Sequence, residues 1–146
     1  MSAVDFAERI ATSFAKQGMM ETLGATLGKI SSGAVEIELK PSPAIAQQHG
    51  FVHAAALTAI ADNACGYSAL SLMPEGTGVL TTEFKLNLVA PAAGNLIVAR
   101  GRVVKAGRTL SLTQAEVFAI SDGQEKLVAL MTATMMTVRG RDGISD

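Results

Sequence analysis

The chain has 146 residues, of which 49% are hydrophobic and 17% are charged, and this is enough to bury the core of one globular domain. We expect residues 1–146 to form that single domain. The formal net charge of -1 excludes a general nucleic-acid binder, because phosphate contacts need a concentrated surplus of Lys and Arg.

Cysteine content and hydropathy bear on location. The single cysteine, Cys65, excludes an internal disulfide and a Cys-based metal cluster, and it is typical of a reducing compartment. No apolar run reaches the ~18 to 20 residues of a membrane span, and the first residues lack the basic-then-apolar order of a signal peptide. We therefore expect a cytoplasmic protein that binds no membrane. No His, Cys and Asp residues have metal-ligand spacing, so we predict no metal site.

In chain order, the first predicted element is an amphipathic helix over residues 3–17, capped by Ser2 or Asp5. Its apolar stripe consists of Val4, Phe6, Ile10, Ala11 and Phe14. Glycines interrupt the apolar pattern that follows, which favours a short helix and then a strand. The next segment alternates apolar and charged residues, as a half-exposed strand does. These elements are a short helix before residue 25, a strand at 25–30, a turn at 31–33 and a strand at 34–40, with Val35, Ile37 and Leu39 facing inward.

The stretch at residues 47–70 is small and apolar except for one carboxylate, Asp62, and it predicts a buried helix around which the chain is organised. Small residues share a face with Asp62, which indicates that something packs very close to it. That face consists of Ala55, Thr58, Asp62, Cys65, Gly66 and Ala69. The opposite side is apolar and consists of Leu57, Ile60, Ala61 and Ala64. Charged residues are rarely fully buried unless paired, so Asp62 is either structural or catalytic, and spacing alone does not decide.

Four long extended segments follow the helix, separated by short segments that carry turn residues. Short turns make consecutive strands antiparallel neighbours, so we predict three successive hairpins. With the two earlier strands, they predict an α+β fold in which a curved, antiparallel, six-stranded sheet wraps around the buried helix. The strands are predicted at 79–89, 95–107, 109–120 and 126–138, the turns at 91–94, 105–108 and 121–124, and a polar tail at 139–146.

This order of elements, together with the residues around Asp62, resembles the hotdog fold and specifically the PaaI-like acyl-CoA thioesterases. The family's signature is a Gly, two residues and His-Gly-Gly at the start of the helix, with an acidic residue nine positions after that His. Gly50, His53 and Asp62 hold those places. The family's polar amide six residues before the His corresponds to Gln47, and its Asp-Asn pair corresponds to Asp62 and Asn63. The resemblance extends over roughly residues 25–138.

The resemblance implies an acyl-CoA thioesterase for a medium-chain, long-chain or aromatic acyl group, which needs no cofactor beyond the coenzyme A of its substrate. Two departures from the family pattern matter. The two glycines after His53 are Ala54 and Ala55, which keep the backbone amides but add two methyl groups near the substrate. The family's basic residue before its Pro-Ala pair is also missing, since Val89 and Ala90 precede Pro91.

A catalytic set follows partly from physics and partly from the resemblance. The first N–H groups of a helix lack partners and lie at its positive end, so the Ala54 N–H can stabilise an oxyanion. The resemblance implies that Asp62 is a general base or a nucleophile, that Thr81 holds the water or the carboxylate, and that Gln47 donates a second hydrogen bond. From the residues alone, Thr81 is more often an ordinary strand residue, and Gln47 is equally a solvated loop residue.

Substrate contacts are implied by the same resemblance, with His53 mainly a structural part of the turn. Gly50, His53, Ala55 and Asn63 are assigned to substrate binding, and Lys105 and Arg108, together with Arg102, to the phosphates of coenzyme A. Two other functions stay open. One is an acyl-CoA binder without activity, because the alanines after His53 spoil the site. The other is a hotdog hydratase or dehydratase.

Helix geometry predicts an oligomer. Ala54 and Asp62 are eight residues apart, which separates them by about 12 Å along a helix, so they cannot both touch one thioester carbon. We expect a homodimer, or a dimer of two such dimers, in which Ala54 and Gln47 of one chain face Asp62 and Thr81 of the other.

Overall fold

The computed structural model describes residues 3–146, with side chains from Phe6 onward. Helices occupy Ala3–Ala15 (α1), Gly18–Leu23 (α2) and Ala54–Leu70 (α3), and a short 3-10 turn occupies Pro43–Ile45. Strands occupy Ala25–Ser31 (β1), Ala34–Leu39 (β2), Gly78–Leu88 (β3), Leu96–Lys105 (β4), Leu110–Ser121 (β5) and Gln124–Val138 (β6). The predicted strands are therefore confirmed to within two residues at each end.

The first helix is shorter than predicted. α1 ends at Ala15 rather than at residue 17, because the Lys16 N–H closes a turn on the Ser13 carbonyl and the chain restarts as α2. Of the stripe residues whose side chains the structure describes, all but the exposed Ala11 pack inward. Its inward members are Phe6, Ile10 and Phe14. The predicted cap Ser2 lies outside the described residues, as do the side chains of Val4 and Asp5.

All six strands form one antiparallel sheet in the order β1-β2-β4-β5-β6-β3. α3 contacts every strand from β2 to β6, so the sheet wraps around it. This confirms the predicted α+β architecture of a six-stranded sheet on one central helix, preceded by an N-terminal helix. Within residues 3–146, no helix is both long and apolar enough to cross a membrane.

The apolar side of α3 fills the core as predicted, and one glycine lets the helix approach the sheet. Leu57, Ile60, Ala61 and Ala64 are almost completely buried. On β4, a Cβ atom added to Gly101 would lie 2.3 Å from the Ala64 carbonyl oxygen and 2.9 Å from its Cβ. Only glycine fits this contact, and it brings the backbone of α3 close to the centre of the sheet.

The prediction of a hairpin at residues 91–94 is wrong. β3 pairs with β6 and not with β4, and β5 and β6 lie between them in the sheet. The connection crosses the end of the sheet, where the Val89 N–H donates to Val128 O and the Asn95 N–H donates to Ile120 O. Three strand spacings are about 14 Å, a distance that an extended segment of this length spans easily. The connection is therefore short enough to look like a hairpin and long enough to be a crossover.

The other two predicted hairpins are confirmed, since β4 pairs with β5 and β5 with β6. In the second turn Asp122 has φ 50° and Gly123 has φ 79°, the positive values that a two-residue hairpin turn requires. β3 pairs with the free side of β6 and therefore lies at one edge of the sheet.

Part of the inner face of β3 is uncovered. Phe84 and Leu88 pair across the strands with Ala133 and Ala129, which are buried, so all four side chains project from the same face. Phe84 and Leu88 are nevertheless 50% and 53% exposed, so this part of the edge strand is not covered, although α3 contacts β3 at Thr81. The described chain thus leaves an apolar strip along its edge strand.

Candidate active site

The start of α3 presents one backbone donor that has no acceptor. His53 caps the helix, and its Nδ1 accepts a hydrogen bond from the Ala55 N–H at 2.9 Å. Among the described residues nothing accepts from the Ala54 N–H, which lies at the positive end of the helix. The preceding turn is closed by the Gly50 N–H on Gln47 O at 3.0 Å, and Gly50 has φ 89°, which favours glycine there.

A cavity of about 590 Å³ opens in front of this helix start, and we call it the helix-start cavity. Its polar groups come from Gln47, His53 and the backbone of Ala54, and the remaining lining is mostly apolar. The side-chain oxygen of Gln47 accepts from the His49 N–H at 2.5 Å, which leaves its NH2 group as a donor. The apolar lining consists of Phe51, Val52, Leu57, Leu88, Val89, Ala90, Pro91 and Ala92.

Asp62 lies two turns further along α3 and contacts β3. Thr81 Oγ1 donates to Asp62 Oδ1 at 2.6 Å. Burial raises the pKa of the Asp62 carboxyl above its ordinary value of 3.8, and the hydrogen bond from Thr81 opposes that shift. Oδ1 is therefore held, while the second carboxylate oxygen is left for another partner.

Asp62 lines a second cavity of about 400 Å³, the Asp62 cavity, which is more polar than the first. Gln17, from the turn after α1, reaches into its wall. The Gln17 side-chain NH2 group donates to Asn63 Oδ1 and to Tyr67 Oη, each at 2.7 Å. Other residues that line this cavity are Ser13, Lys16, Gly66, Val79, Thr81, Gly143, Ser145 and Asp146.

Comparison of the sequence with known protein families agrees with this arrangement of helix and sheet. The family model of the thioesterase superfamily matches residues 49–126, which is more than half of the chain. The chain belongs to the thioesterase superfamily. Membership makes this thioesterase a hydrolase, as the sequence predicted.

Three relatives support the assignment. A thioesterase family protein from Silicibacter pomeroyi has 45% identity and a TM-score of 0.90, covering 92% of this chain and 99% of that protein. The Escherichia coli PaaI protein from the phenylacetic acid degradation operon has 20% identity and a TM-score of 0.81 over 99% of both chains, which confirms the predicted hotdog fold. A 1,4-dihydroxy-2-naphthoyl-CoA hydrolase from Listeria monocytogenes is 23% identical over 124 residues, covering 85% of this chain and 98% of that enzyme.

Within one chain of the thioesterase, the predicted site residues separate into groups. Asp62, Asn63 and Thr81 meet in the Asp62 cavity, whereas Gln47, His53 and Ala54 meet in the helix-start cavity. Gly50 lines a neighbouring hollow beside Pro41 and Pro43, and Ala55 is exposed on the helix surface. Lys105 is exposed at the end of β4, and Arg108 lies beside Ala69 and Leu72, at the far end of α3 from Ala54.

Within the predicted small-residue face of α3, Cys65 and Ala69 are buried, whereas the other residues stay at least partly open. The strip that stays open contains Asp62 and small or polar neighbours only. Its members are Ala55, Thr58, Ala59, Asp62, Asn63 and Gly66.

Several residues of the Asp62 cavity were not predicted from the sequence. Tyr67 could have been found, because it lies four residues after Asn63 and therefore on the same side of the helix. Ser13, Gln17 and Asp146 come from parts of the chain that are 46 to 133 residues away from their partners, and no local pattern indicates such contacts.

Proposed function

We propose that this thioesterase hydrolyses acyl-CoA thioesters, with Asp62 as the general base. The observation that carries the proposal is the Asp62 carboxylate, which is partly desolvated, has a raised pKa and is fixed at one oxygen by Thr81. A base whose pKa is raised toward neutrality combines an ionised form with useful proton affinity. The relation to a 1,4-dihydroxy-2-naphthoyl-CoA hydrolase supports a coenzyme A thioester as substrate.

The oxyanion site in this proposal is the start of α3. The unpartnered Ala54 N–H and the NH2 group of Gln47 both line the helix-start cavity and both donate to the carbonyl oxygen of the substrate. One such preorganised donor typically contributes ~10²- to 10³-fold in rate. Alanine at this position retains the donor, so the departure from the family's glycine leaves the chemistry intact.

The reaction then takes two steps. Asp62 accepts a proton from a water molecule while the oxygen of that water bonds to the thioester carbon. The negative charge that develops on the carbonyl oxygen is stabilised by a hydrogen bond from the Ala54 N–H. When this intermediate collapses, the carbon–sulfur bond breaks and the proton on Asp62 passes to the departing coenzyme A sulfur. The products are the free acid and coenzyme A, and Asp62 returns to its ionised form.

We propose that each site is shared by two chains. The helix-start cavity and the Asp62 cavity are separate in one chain, and about 12 Å of helix divides Ala54 from Asp62. The half-exposed Phe84 and Leu88 on the edge strand and the open strip of small residues on α3 offer a surface for close packing. A two-fold axis along this edge brings Ala54 and Gln47 of one chain toward Asp62 and Thr81 of the other, twice per dimer.

A dimer of dimers is the larger assembly that we propose. On the outer face of the sheet, Leu80, Met136 and Leu110 lie side by side on β3, β6 and β5. Leu80 and Leu110 are exposed, so this row is an apolar surface for a second dimer.

The phosphates of coenzyme A are assigned to Lys105 and Arg108. Both are at the exposed hairpin between β4 and β5, where Arg139 donates to the Arg108 carbonyl and adds a further positive charge. Coenzyme A thioesters and the free, buried Cys65 both suit the cytoplasm, which is the compartment that we propose.

Thiol release from a panel of acyl-CoA substrates tests the function. The wild-type protein should release coenzyme A, and Asp62→Asn should lower turnover at least ~10²-fold with a modest change in KM. Binding of acyl-CoA without turnover would favour the binding protein, and hydration of an enoyl-CoA without thiol release would favour the hydratase. Near-normal turnover by Asp62→Asn would show that Asp62 is structural.

A further inference from the structure

We propose that the tail at residues 139–146 positions Thr81, and through it the Asp62 carboxylate, by supporting the start of β3 where that strand has no neighbour. Asp146 is the positioning residue of the tail, and Arg9 of α1 holds it in place. The inference rests on the proposed function, because it takes Asp62 as the base whose alignment the tail controls.

The start of β3 needs support because the sheet holds it on one side only. β3 pairs with β6, and within the described chain no strand pairs with its other side. The register of the two strands shifts between Thr81 and Glu83. Thr81 is therefore the last paired residue before an irregularity, and its position depends on the short segment 78–81 more than on the long ladder that follows.

Asp146 occupies the free side of this segment. Its Oδ2 accepts from the Val79 N–H at 3.1 Å, and its own N–H donates to Thr77 O at 3.1 Å. The edge of a sheet leaves such backbone groups without a partner, and here the tail pairs them. Side chains two residues apart on a strand project from the same face, so the contact at Val79 fixes the part of the strand that presents the Thr81 hydroxyl.

The tail also packs directly on the backbone of β3. A Cβ atom added to Gly78 would lie 2.7 Å from Ile144 Cγ2 and 3.1 Å from the Ile144 carbonyl carbon. Only a residue without a side chain fits so close a contact. The tail is therefore fitted to the first residue of the strand as well as hydrogen-bonded beside it.

Arg9 ties the tail and the approach to β3 to α1. Its Nε donates to the backbone oxygen of Asp146 at 2.5 Å. Its terminal nitrogens donate to Thr77 O at 2.6 Å and to Met73 O at 3.0 Å. Ser13, also on α1, donates through Oγ to Asp146 Oδ1 at 2.8 Å. Asp146 is thus held from α1 and from β3 together, and hydrogen bonds to charged groups are the stronger ones.

This series of contacts ends at the proposed base. Thr81 Oγ1 donates to Asp62 Oδ1 at 2.6 Å. Asp62 lies on α3, whose other side is buried in the core, so a displaced start of β3 moves the hydroxyl and not the helix. Catalysis is sensitive to such shifts, because a misplacement of about 1 Å can cost ~10²-fold in rate.

The test is a double-mutant cycle between Asp146→Ala and Thr81→Val. Thiol release from butyryl-CoA, decanoyl-CoA and phenylacetyl-CoA gives kcat and KM, and the cycle uses the substrate that the wild type turns over fastest. Asp146→Ala should lower kcat about fivefold or more, with KM changed less than about twofold. In the Thr81→Val background, Asp146→Ala should lower kcat less than about twofold, because the hydroxyl through which it acts is already absent. A mere loss of folded protein would lower kcat equally in both backgrounds.

Three further variants separate the contact from charge and from general effects of the tail. Asp146→Asn keeps an acceptor for the Val79 N–H without the charge, so it should retain most of the wild-type kcat. Asp142→Ala changes an exposed tail residue and should leave kcat and KM unchanged. Ile144→Ala alters the packing without altering charge, and its loss of kcat should likewise disappear in the Thr81→Val background. It carries the cycle if Asp146→Ala does not fold.

An unchanged kcat in both Asp146→Ala and Ile144→Ala, with an active wild type, would overturn this inference and leave the proposed function standing. Equal losses in the wild-type and Thr81→Val backgrounds would also overturn it, because the tail would then act by a route other than Thr81. So would an Asp146→Asn variant as impaired as Asp146→Ala, since charge would then be the cause. A wild type that releases no thiol from any of the three substrates would overturn the proposed function and this inference with it.

Discussion

The ionised Asp62 carboxylate lowers the stability of the fold, and this favours a functional role for it. The carboxylate is partly buried on a helix whose other side is the core, and among the described side chains only Thr81 donates a hydrogen bond to it. Burial raises its pKa because the charged form loses hydration. A group used only for structure would be expected to have more hydrogen-bond donors around it.

Stability should therefore increase when Asp62 loses its charge. Its pKa in the folded state is raised above the unfolded value, so the ionised carboxylate costs stability, and this cost grows as pH rises from the unfolded toward the folded pKa. Asp62→Asn should have a higher unfolding midpoint than the wild type at pH 7, and the difference should shrink below about pH 4. Thermal unfolding at the two pH values measures this, with exposed Asp142→Asn as the control. A midpoint lowered at pH 7 would contradict the account.

Thr81 should set the acid limb of the pH profile. Its hydroxyl donates to the ionised form of Asp62 and so lowers the Asp62 pKa against the effect of burial. Thr81→Val removes the donor at nearly constant volume, so the Asp62 pKa should rise and the fall of kcat/KM on acidification should begin at higher pH. An acid limb that stays in place or moves to lower pH would exclude this role for Thr81.

At the scale of elements, the close contact between α3 and β4 positions the helix that carries both Ala54 and Asp62. A side chain at Gly101 would overlap the backbone of Ala64, in the second half of the helix. Gly101→Ala should lower the free energy of unfolding by about 1–3 kcal/mol, through displacement of α3. Denaturant unfolding measures this. Gly18→Ala is a matched control, because its added methyl group meets nothing within 4 Å, and equal stability of the two variants would contradict the account.

Elements were predictable from the sequence where the pattern is local. The alternation of Val35, Ile37 and Leu39 predicted β2, and the helical spacing of Leu57, Ile60 and Ala64 predicted the buried side of α3. Strand order was not predictable, because a short connection fits either a hairpin or a crossover. Whether the connection after β3 is a hairpin or a crossover depends on which strand Phe84 and Leu88 pair with. They pair with β6, which is distant in the sequence.

The candidate site was predictable only in part for the same reason. Asp62 stands out as a charge in an apolar helix, and the helix geometry separates it from Ala54 without any knowledge of the sheet. The pairing of Asp62 with Thr81, 19 residues apart, came from family resemblance, and the structure brings the two side chains together. The contacts of Asp146 with Ser13 and Arg9 join opposite parts of the chain and leave no trace in either local pattern.

At the scale of the whole molecule, the proposed function treats one chain as holding two incomplete halves of a thioesterase site. One half offers an N–H at the helix start and an apolar cavity, and the other offers a carboxylate and a hydroxyl in a polar cavity. The edge strand between them has half-exposed Phe84 and Leu88 on its inner face. We propose that a second copy of the chain supplies what each half lacks.

Complementation between two inactive variants tests this claim most directly. Ala54→Pro removes the N–H at the first helical position, where proline is tolerated, and the ψ of 139° at His53 suits a following proline. Asp62→Asn removes the base. Each homodimer should be nearly inactive, but co-refolding equal amounts should make about half of the dimers mixed, each with one intact site, and restore about a quarter of wild-type activity. Mixed dimers that form by mass and remain inactive would contradict the shared site.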